Sequence, residues 1–134
     1  MALVLTSLQA GHTFEPLTFT ITAEQERAYT RATGDSQPVY EAEGLAPPLA
    51  VTALALGVLL DAVGLPDGAL HASESMRVLK PVPLGSTLEC RARLAQRSQR
   101  SGWIVTALDS EITLDGEPVI ATRATVMCPA EAAS

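Results

Sequence analysis

The chain has 134 residues, of which 47% are hydrophobic and 4% aromatic, and its formal net charge is −6 at pH 7. This length suits one domain spanning residues 1–134, and the composition is that of a globular protein with an aliphatic core. The acidic balance excludes nucleic-acid binding, which depends on contacts between basic side chains and phosphates. The densest basic cluster suits only a small phosphorylated ligand and comprises Arg91, Arg93, Arg97 and Arg100.

The two cysteines, Cys90 and Cys128, belong to no CxxC motif and no Cys/His cluster. We therefore expect no bound metal, and two thiols buried in strands. The apolar stretch Met1–Ala10 lacks the basic region and cleavage site of a signal peptide. These features predict a cytoplasmic protein without membrane attachment.

A first strand and helix are predicted before residue 34. Phe14–Ile21 alternates loosely between apolar and polar residues, which is typical of a strand. Thr22 and Gln25 have the spacing of a capping box, which predicts a helix over residues 23–33. Gly34 is then placed to end that helix.

A second, longer helix follows a loop over residues 35–46. Pro47 and Pro48 favour the first turn of a helix, which we expect to continue to Val63. Leu49–Val63 is apolar on nearly every side, so the helix is predicted to be buried. The run is shorter than the roughly 20 residues that cross a bilayer.

Four further strands are predicted in the second half of the chain, over residues 69–80, 87–95, 103–114 and 119–128. Apolar residues alternate in these segments, and Asp115-Gly116 is a strong hairpin signal. The predicted fold class is α+β, with an antiparallel sheet of about five strands wrapped around the central helix 47–63. Because one sheet covers only one side of a helix, we also expect a second subunit.

Several segments together resemble the MaoC-like dehydratase group, which includes (R)-specific enoyl-CoA hydratases and has the hotdog fold. The matching residues extend over about 11–127 and include Gly34-Asp35-x-x-Pro38-Val39, Ala46-Pro47-Pro48-Leu49 and Lys80-Pro81-Val82-x-x-Gly85. The resemblance implies a protein that binds an acyl-CoA or acyl-carrier-protein thioester, forms a homodimer and uses no cofactor.

The resemblance also implies the site residues. Asp35 matches the family's catalytic acid, and Tyr40 occupies the position of the family's catalytic His. The matching substrate-binding positions are Gly34, Pro38, Pro47, Pro48 and Leu49. In the family, the Asp and the His hold a water between them and add it to an enoyl thioester, one as base and the other as acid.

Three departures from the family accompany this match. The imidazole is replaced by a phenol at Tyr40, and only residues 41–44 connect that position to the central helix, where the family usually has a longer segment. Pro48 stands where many active hydratases have a Gly, and it cannot donate a backbone N–H to the thioester oxygen.

These observations leave several interpretations open. Asp35 is either catalytic or the first residue of an Asx-turn. The chain is a hydratase or dehydratase with an altered Asp/Tyr dyad, a non-catalytic subunit that pairs with an active dehydratase, or a thioesterase that uses Asp61. His12 and His71 are expected to be polar surface or edge residues.

Overall fold

The computed structural model describes residues 3–25 and 44–130. Its long helix, α1, spans Pro48–Ala62, and a short 3-10 turn spans Leu5–Ser7. The strands are β1 (Leu3–Val4), β2 (Leu17–Thr20), β3 (Val63–Gly64), β4 (Leu70–Val78), β5 (Thr87–Arg100), β6 (Trp103–Leu114) and β7 (Glu117–Pro129).

Five strands form one sheet in the order β2-β5-β6-β7-β4, and every neighbouring pair is antiparallel. The predicted α+β class and the antiparallel sheet are thus confirmed. The short strands β1 and β3 form a separate parallel pair, with Leu3 opposite Val63. Neither strand was predicted, and Val63, which was expected to end the central helix, has extended backbone and belongs to β3.

Two tight turns determine the register of the long hairpins. Asp115 and Gly116 both have positive φ, of 52° and 83°, between β6 and β7. Ser101 and Gly102 have the same conformation between β5 and β6. Positive φ at both central residues matches the strand twist of a two-residue hairpin. The hairpin predicted at Asp115-Gly116 is therefore confirmed.

Several strand boundaries differ from the prediction. β5 continues to Arg100 instead of ending at residue 95, because a register shift between Leu94 and Gln96 interrupts the alternation without ending the pairing. β2 is shorter than the predicted segment 14–21 and contains only Leu17–Thr20. The bulge in β5 breaks the strict alternation of apolar and polar residues, so the sequence pattern underestimates the length of that strand.

The helix α1 packs one stripe of side chains, including Val51, Ala55 and Leu59, into the core on the inner face of the sheet. Its opposite face is largely open in the single chain, where Ala53 and Gly57 are exposed and Leu49 is 52% exposed. Within a single chain the helix is therefore covered on one side only, because the sheet reaches only that side.

The predicted capping box is present. The Gln25 N–H donates to Oγ1 of Thr22 at 3.1 Å, and the Thr22 N–H donates to Oε1 of Gln25 at 2.9 Å. The helix begins at Ala23 as predicted. The remainder of that helix, and the positions of Gly34, Asp35, Pro38 and Tyr40, lie outside the described residues.

Both cysteines are free and buried, as predicted. Burial raises the pKa of the thiols of Cys90 and Cys128, and a hydrogen bond with Ser110 partly opposes this at Cys90. Over residues 3–25 and 44–130, no helix is long and apolar enough to span a membrane.

Candidate functional site

A turn over residues 81–86, here called the proline turn, holds the segment that leads into α1. The Ala46 N–H donates to the carbonyl of Val82 at 2.7 Å, and the Leu84 N–H donates to the carbonyl of Gly44 at 2.8 Å. Most of the Lys80-Pro81-Val82-x-x-Gly85 motif noted in the sequence lies in this turn. Its physical role is to fix the chain immediately before the helix.

The same turn also holds the chain before the first predicted helix. The Gly85 N–H donates to the carbonyl of Ile21 at 2.7 Å, and the Ile21 N–H donates to the carbonyl of Ser86 at 3.1 Å. Gly85 has a φ of 87°, which glycine adopts without strain. Both described flanks of residues 26–43 are therefore anchored to one turn.

The N-terminus of α1 presents one backbone donor that has no partner among the described residues. Pro47 caps the helix without a side-chain hydrogen bond, and Pro48 has no N–H. The N–H groups of Ala50 and Val51 both donate to the carbonyl of Pro47, at 3.0 and 3.2 Å. No acceptor among the described residues contacts the N–H of Leu49. This N–H lies at the positive end of the helix dipole and can bind an anionic or carbonyl oxygen.

A cavity of about 290 Å³ adjoins this helix terminus. Its lining is mostly apolar, and the ammonium group of nearby Lys80 pairs with the carboxylate of Glu117. The lining residues are Leu45, Ala46, Pro48, Val78, Leu79, Lys80, Pro81, Val82 and Ile120. The cavity thus joins the proline turn, the end of β4 and the start of α1.

A second cavity of about 530 Å³, here called the α1 groove, runs along the open face of the helix. One stripe of α1 lines it, comprising Leu49, Thr52, Ala53, Leu56, Gly57 and Leu60. The facing side chains are His71, Glu74 and Met76 of β4. Sites for small ligands commonly have volumes of roughly 300–1,000 Å³ and mostly apolar linings.

His71 and Glu74 form a polar pair in this groove, with Nε2 of His71 3.1 Å from Oε2 of Glu74. The Glu74 side chain is 19% exposed and that of His71 is 42% exposed. Burial raises the pKa of the Glu74 carboxyl group, and the charge of His71 partly opposes this effect. The pair lies at the edge of the sheet, as expected for His71, but its partner Glu74 was not predicted.

The structure does not gather the four predicted arginines into one free basic patch. Arg91 donates to Oε1 of Glu89 at 2.6 Å, and Arg93 lies 3.8 Å from Asp109. Arg97 instead donates to the carbonyl of Thr6 at 3.1 Å. The charges of Arg91 and Arg93 therefore have carboxylate partners on the outer face of the sheet.

Of the predicted site residues, Pro47, Pro48 and Leu49 come together at the start of α1. The helix-end carboxylate of Asp61 is exposed and lines neither cavity. Across the described parts of the chain, no group of three or more His, Cys, Asp or Glu side chains could hold a metal ion.

A five-stranded antiparallel sheet packed on one long helix is the arrangement of the hotdog fold. Residues 8–122 match the family described as FAS1-like, dehydratase domain region, so the chain belongs to that family. No curated protein matches the sequence significantly.

Several solved structures share the fold. The chain is 28% identical to a chain of the HadBC (3R-hydroxyacyl-ACP dehydratase) complex from Mycobacterium tuberculosis, with a TM-score of 0.75 over 92% of this chain and 99% of that chain. It is 20% identical to the MaoC-like dehydratase from Rhodospirillum rubrum, with a TM-score of 0.75 and coverages of 96% and 97%. It is 17% identical to the (R)-hydratase from A. caviae, with a TM-score of 0.71 over 92% of this chain and 98% of that chain. The predicted resemblance to MaoC-like dehydratases is thus confirmed.

Proposed function

We propose that this protein binds an acyl thioester at the N-terminal end of α1 and acts on it as an enoyl-CoA hydratase or 3-hydroxyacyl dehydratase with an altered dyad. Asp35 is the proposed catalytic carboxylate, and Tyr40 stands in the place of the family's His. Membership of a dehydratase family and the Gly34-Asp35-x-x-Pro38 motif support this assignment.

The observation that carries the proposal is the double anchoring by the proline turn. The motif lies within residues 26–43, between the described residues Gln25 and Gly44. The turn binds Ile21 on one side and Ala46 on the other, and both residues belong to the same core cluster as Ala50 of α1. Both flanks of the segment are therefore held close to the helix terminus.

In the proposed site, the Leu49 N–H donates to the thioester oxygen and stabilises the negative charge that develops there. The Asp35 carboxylate accepts a proton from water as the water oxygen bonds to the β-carbon. The electron pair of the double bond moves toward the thioester, and the α-carbon then takes up the proton held by Asp35, which restores the carboxylate. Phenols titrate near pH 10, so Tyr40 is a poor base but can donate a hydrogen bond.

This dyad predicts slow hydration. A positioned general acid or base contributes roughly 10²–10⁴-fold to a rate, and Tyr40 supplies less of this assistance than an imidazole. We expect the purified protein to hydrate crotonyl-CoA well below an ordinary enzyme rate of about 10 per second. Turnover at or above that rate would contradict the altered-dyad assignment.

The variant Asp35→Asn tests the catalytic carboxylate directly. It should abolish the remaining hydration of crotonyl-CoA without changing the melting temperature. Asp67→Asn, which changes an exposed Asp in the turn after β3, is the matched control and should keep wild-type activity. Hydration that survives Asp35→Asn would show that another group carries the reaction.

A second candidate function is that of a non-catalytic subunit paired with an active dehydratase. The observation that favours it is the 28% identity to a chain of a dehydratase structure described as a complex. The missing imidazole and the missing N–H at Pro48 agree with this role. Co-expression with a His-containing MaoC-like protein tests it, because turnover of crotonyl-CoA would then appear in a co-purifying pair and not in this chain alone.

The thioesterase alternative has less support, because Asp61 lies outside both cavities. Release of free thiol from an acyl-CoA, lost in Asp61→Asn, would establish it.

A further inference from the structure

A bulge in β4 brings His71 and Glu74 to the same side of the strand. Side chains three residues apart on a regular strand point to opposite faces. The pairing of β4 with β7 shifts register between His71 and Ser73, so one extra residue is inserted between them. His71 therefore turns toward the α1 groove with Glu74. Bulges that redirect a side chain are frequent beside functional sites.

The pair places a carboxylate against an apolar helix face, where it is poorly solvated. Burying a charged group is unfavourable unless it is paired and hydrogen-bonded. His71 supplies one partner, at Oε2 of Glu74. No hydrogen bond from the described residues occupies Nδ1 of His71 or Oε1 of Glu74. These two atoms are therefore available to a molecule in the groove.

The free atoms define the chemistry that they recognise. With Nε2–H donated to Glu74, a neutral imidazole leaves Nδ1 as an acceptor, whereas a protonated imidazole makes Nδ1 a donor. Oε1 of Glu74 is an acceptor in either state. A hydroxyl group both donates and accepts, so it can form a hydrogen bond with either atom in both states.

The helix face opposite the pair leaves room for an aliphatic chain. Gly57 lies in the middle of α1, where Gly is less favourable than Ala by about 1 kcal/mol. A methyl group added at Gly57 would meet no atom within 4 Å, so packing within the chain does not require the glycine. From Leu49 to Leu60 the groove extends for about 16 Å at 1.5 Å per residue.

We propose that His71 and Glu74 bind a hydroxyl group carried on the acyl chain of the ligand, several carbons from the thioester. This inference rests on the proposed function, which places the thioester at the Leu49 N–H. Met76 contacts Thr52 near that end of the groove, with Oγ1 of Thr52 3.4 Å from its sulfur. Glu74 lies about 7 Å further along β4, away from the helix terminus. The recognised hydroxyl is thus distinct from the one that hydration creates on the β-carbon.

Calorimetric titration with 10-hydroxydecanoyl-CoA and decanoyl-CoA tests the inference. A hydrogen bond to a partly buried polar pair is worth about 0.5–1.5 kcal/mol, so the wild type should bind the hydroxylated ligand roughly threefold to tenfold more tightly. His71→Leu should abolish this preference. His12→Leu is the matched control, because His12 packs against Phe14 with ring centroids 4.9 Å apart, away from the groove, and it should keep the preference.

Equal affinities of the wild type for the two ligands, or a preference that survives His71→Leu, would overturn the inference and leave the proposed function intact. Failure of both ligands to bind would instead contradict the proposed function, and the inference with it.

Gly57→Leu locates the binding site independently. The new side chain projects into open space in the groove, so the variant should fold. It should weaken the binding of both ligands by at least about tenfold, because a buried isobutyl group occupies the volume of the chain. Unchanged affinity for both ligands would show that the acyl chain lies elsewhere and would overturn the inference.

Discussion

At the residue scale, the group of interest at the start of α1 is the backbone N–H of Leu49 and not its side chain. Pro47 and Pro48 start α1 without a side-chain cap, and Pro48 has no N–H, so the first helix donor without an acceptor among the described residues belongs to Leu49. In the proposed site, this N–H takes the place of the donor that is missing at Pro48. We infer that the water-activating pair limits the reaction more than the oxyanion donor does.

Tyr40→His tests which defect limits the reaction. If an imidazole beside Asp35 is what the site lacks, hydration of crotonyl-CoA should rise by about 100-fold or more, the lower end of general acid–base assistance. The double variant with Asp35→Asn should lose the whole gain. An unchanged rate in Tyr40→His would show that position 40 does not reach the reacting water, or that oxyanion stabilisation is limiting.

Glu74 is expected to lower the stability of the folded chain at neutral pH. Burial raises the pKa of this carboxyl group above its unfolded value, so between the two values the folded state holds more protons than the unfolded state. Stability therefore decreases as pH rises through this window and remains lower above it.

Glu74→Gln should remove this pH dependence and raise the melting temperature at neutral pH. Melting curves from about pH 4 to about pH 8 would measure the effect across the titration range of carboxyl groups. Glu15→Gln, at an exposed position, should leave the profile unchanged. A lower melting temperature for Glu74→Gln at neutral pH would mean that the charged pair with His71 is net stabilising.

At the scale of elements, the capping box determines where the first helix starts. Thr22→Ala removes the acceptor for the Gln25 N–H and should cost about 1 kcal/mol of unfolding free energy, measured by urea denaturation. Thr22→Ser keeps the hydroxyl and should remain close to the wild type. Equal stability of all three proteins would indicate that the helix terminus contributes little to folding.

The elements with local signals could be predicted from the sequence. Three of these signals depend only on neighbouring residues: the helix start at Pro47-Pro48, the hairpin at Asp115-Gly116 and the alternation from Leu88 to Leu94. The pairing of Leu3 with Val63 could not be predicted, because its partners are far apart in the sequence. The contact of His71 with Glu74 was not predicted, because a bulge turns the His71 side chain to the same face of β4 as Glu74. No residue type in the sequence indicates this bulge. For Asp35 and Tyr40, family resemblance remains the only guide to position.

At the scale of the whole molecule, the exposed apolar side chains of the edge strand β4 predict a homodimer. The edge strand β4 exposes Leu70 and Val78 at 53% and 46%, and nearby Leu79 is also exposed, at 45%. An unpaired edge beside exposed apolar side chains favours pairing with a second chain. A two-fold axis would place the two β4 strands side by side and antiparallel.

Light scattering at micromolar concentration should therefore give twice the chain mass of 14.0 kDa. Val78→Lys adds a charge to the edge and should shift the protein toward the monomer. Leu65→Lys changes an exposed apolar residue outside β4 and should not do so. A monomeric mass for the wild type would contradict the dimer without affecting the fold.

The proline turn has a consequence for how this protein can change in evolution. Because the turn holds Ile21 and Ala46 by backbone hydrogen bonds, the chain between them begins and ends at fixed points whatever side chains it carries. Substitutions within residues 26–43 are therefore expected to leave the hydrogen bonds of the turn intact. Substitutions at Asp35 and Tyr40 are accordingly expected to change the proposed activity without unfolding the domain.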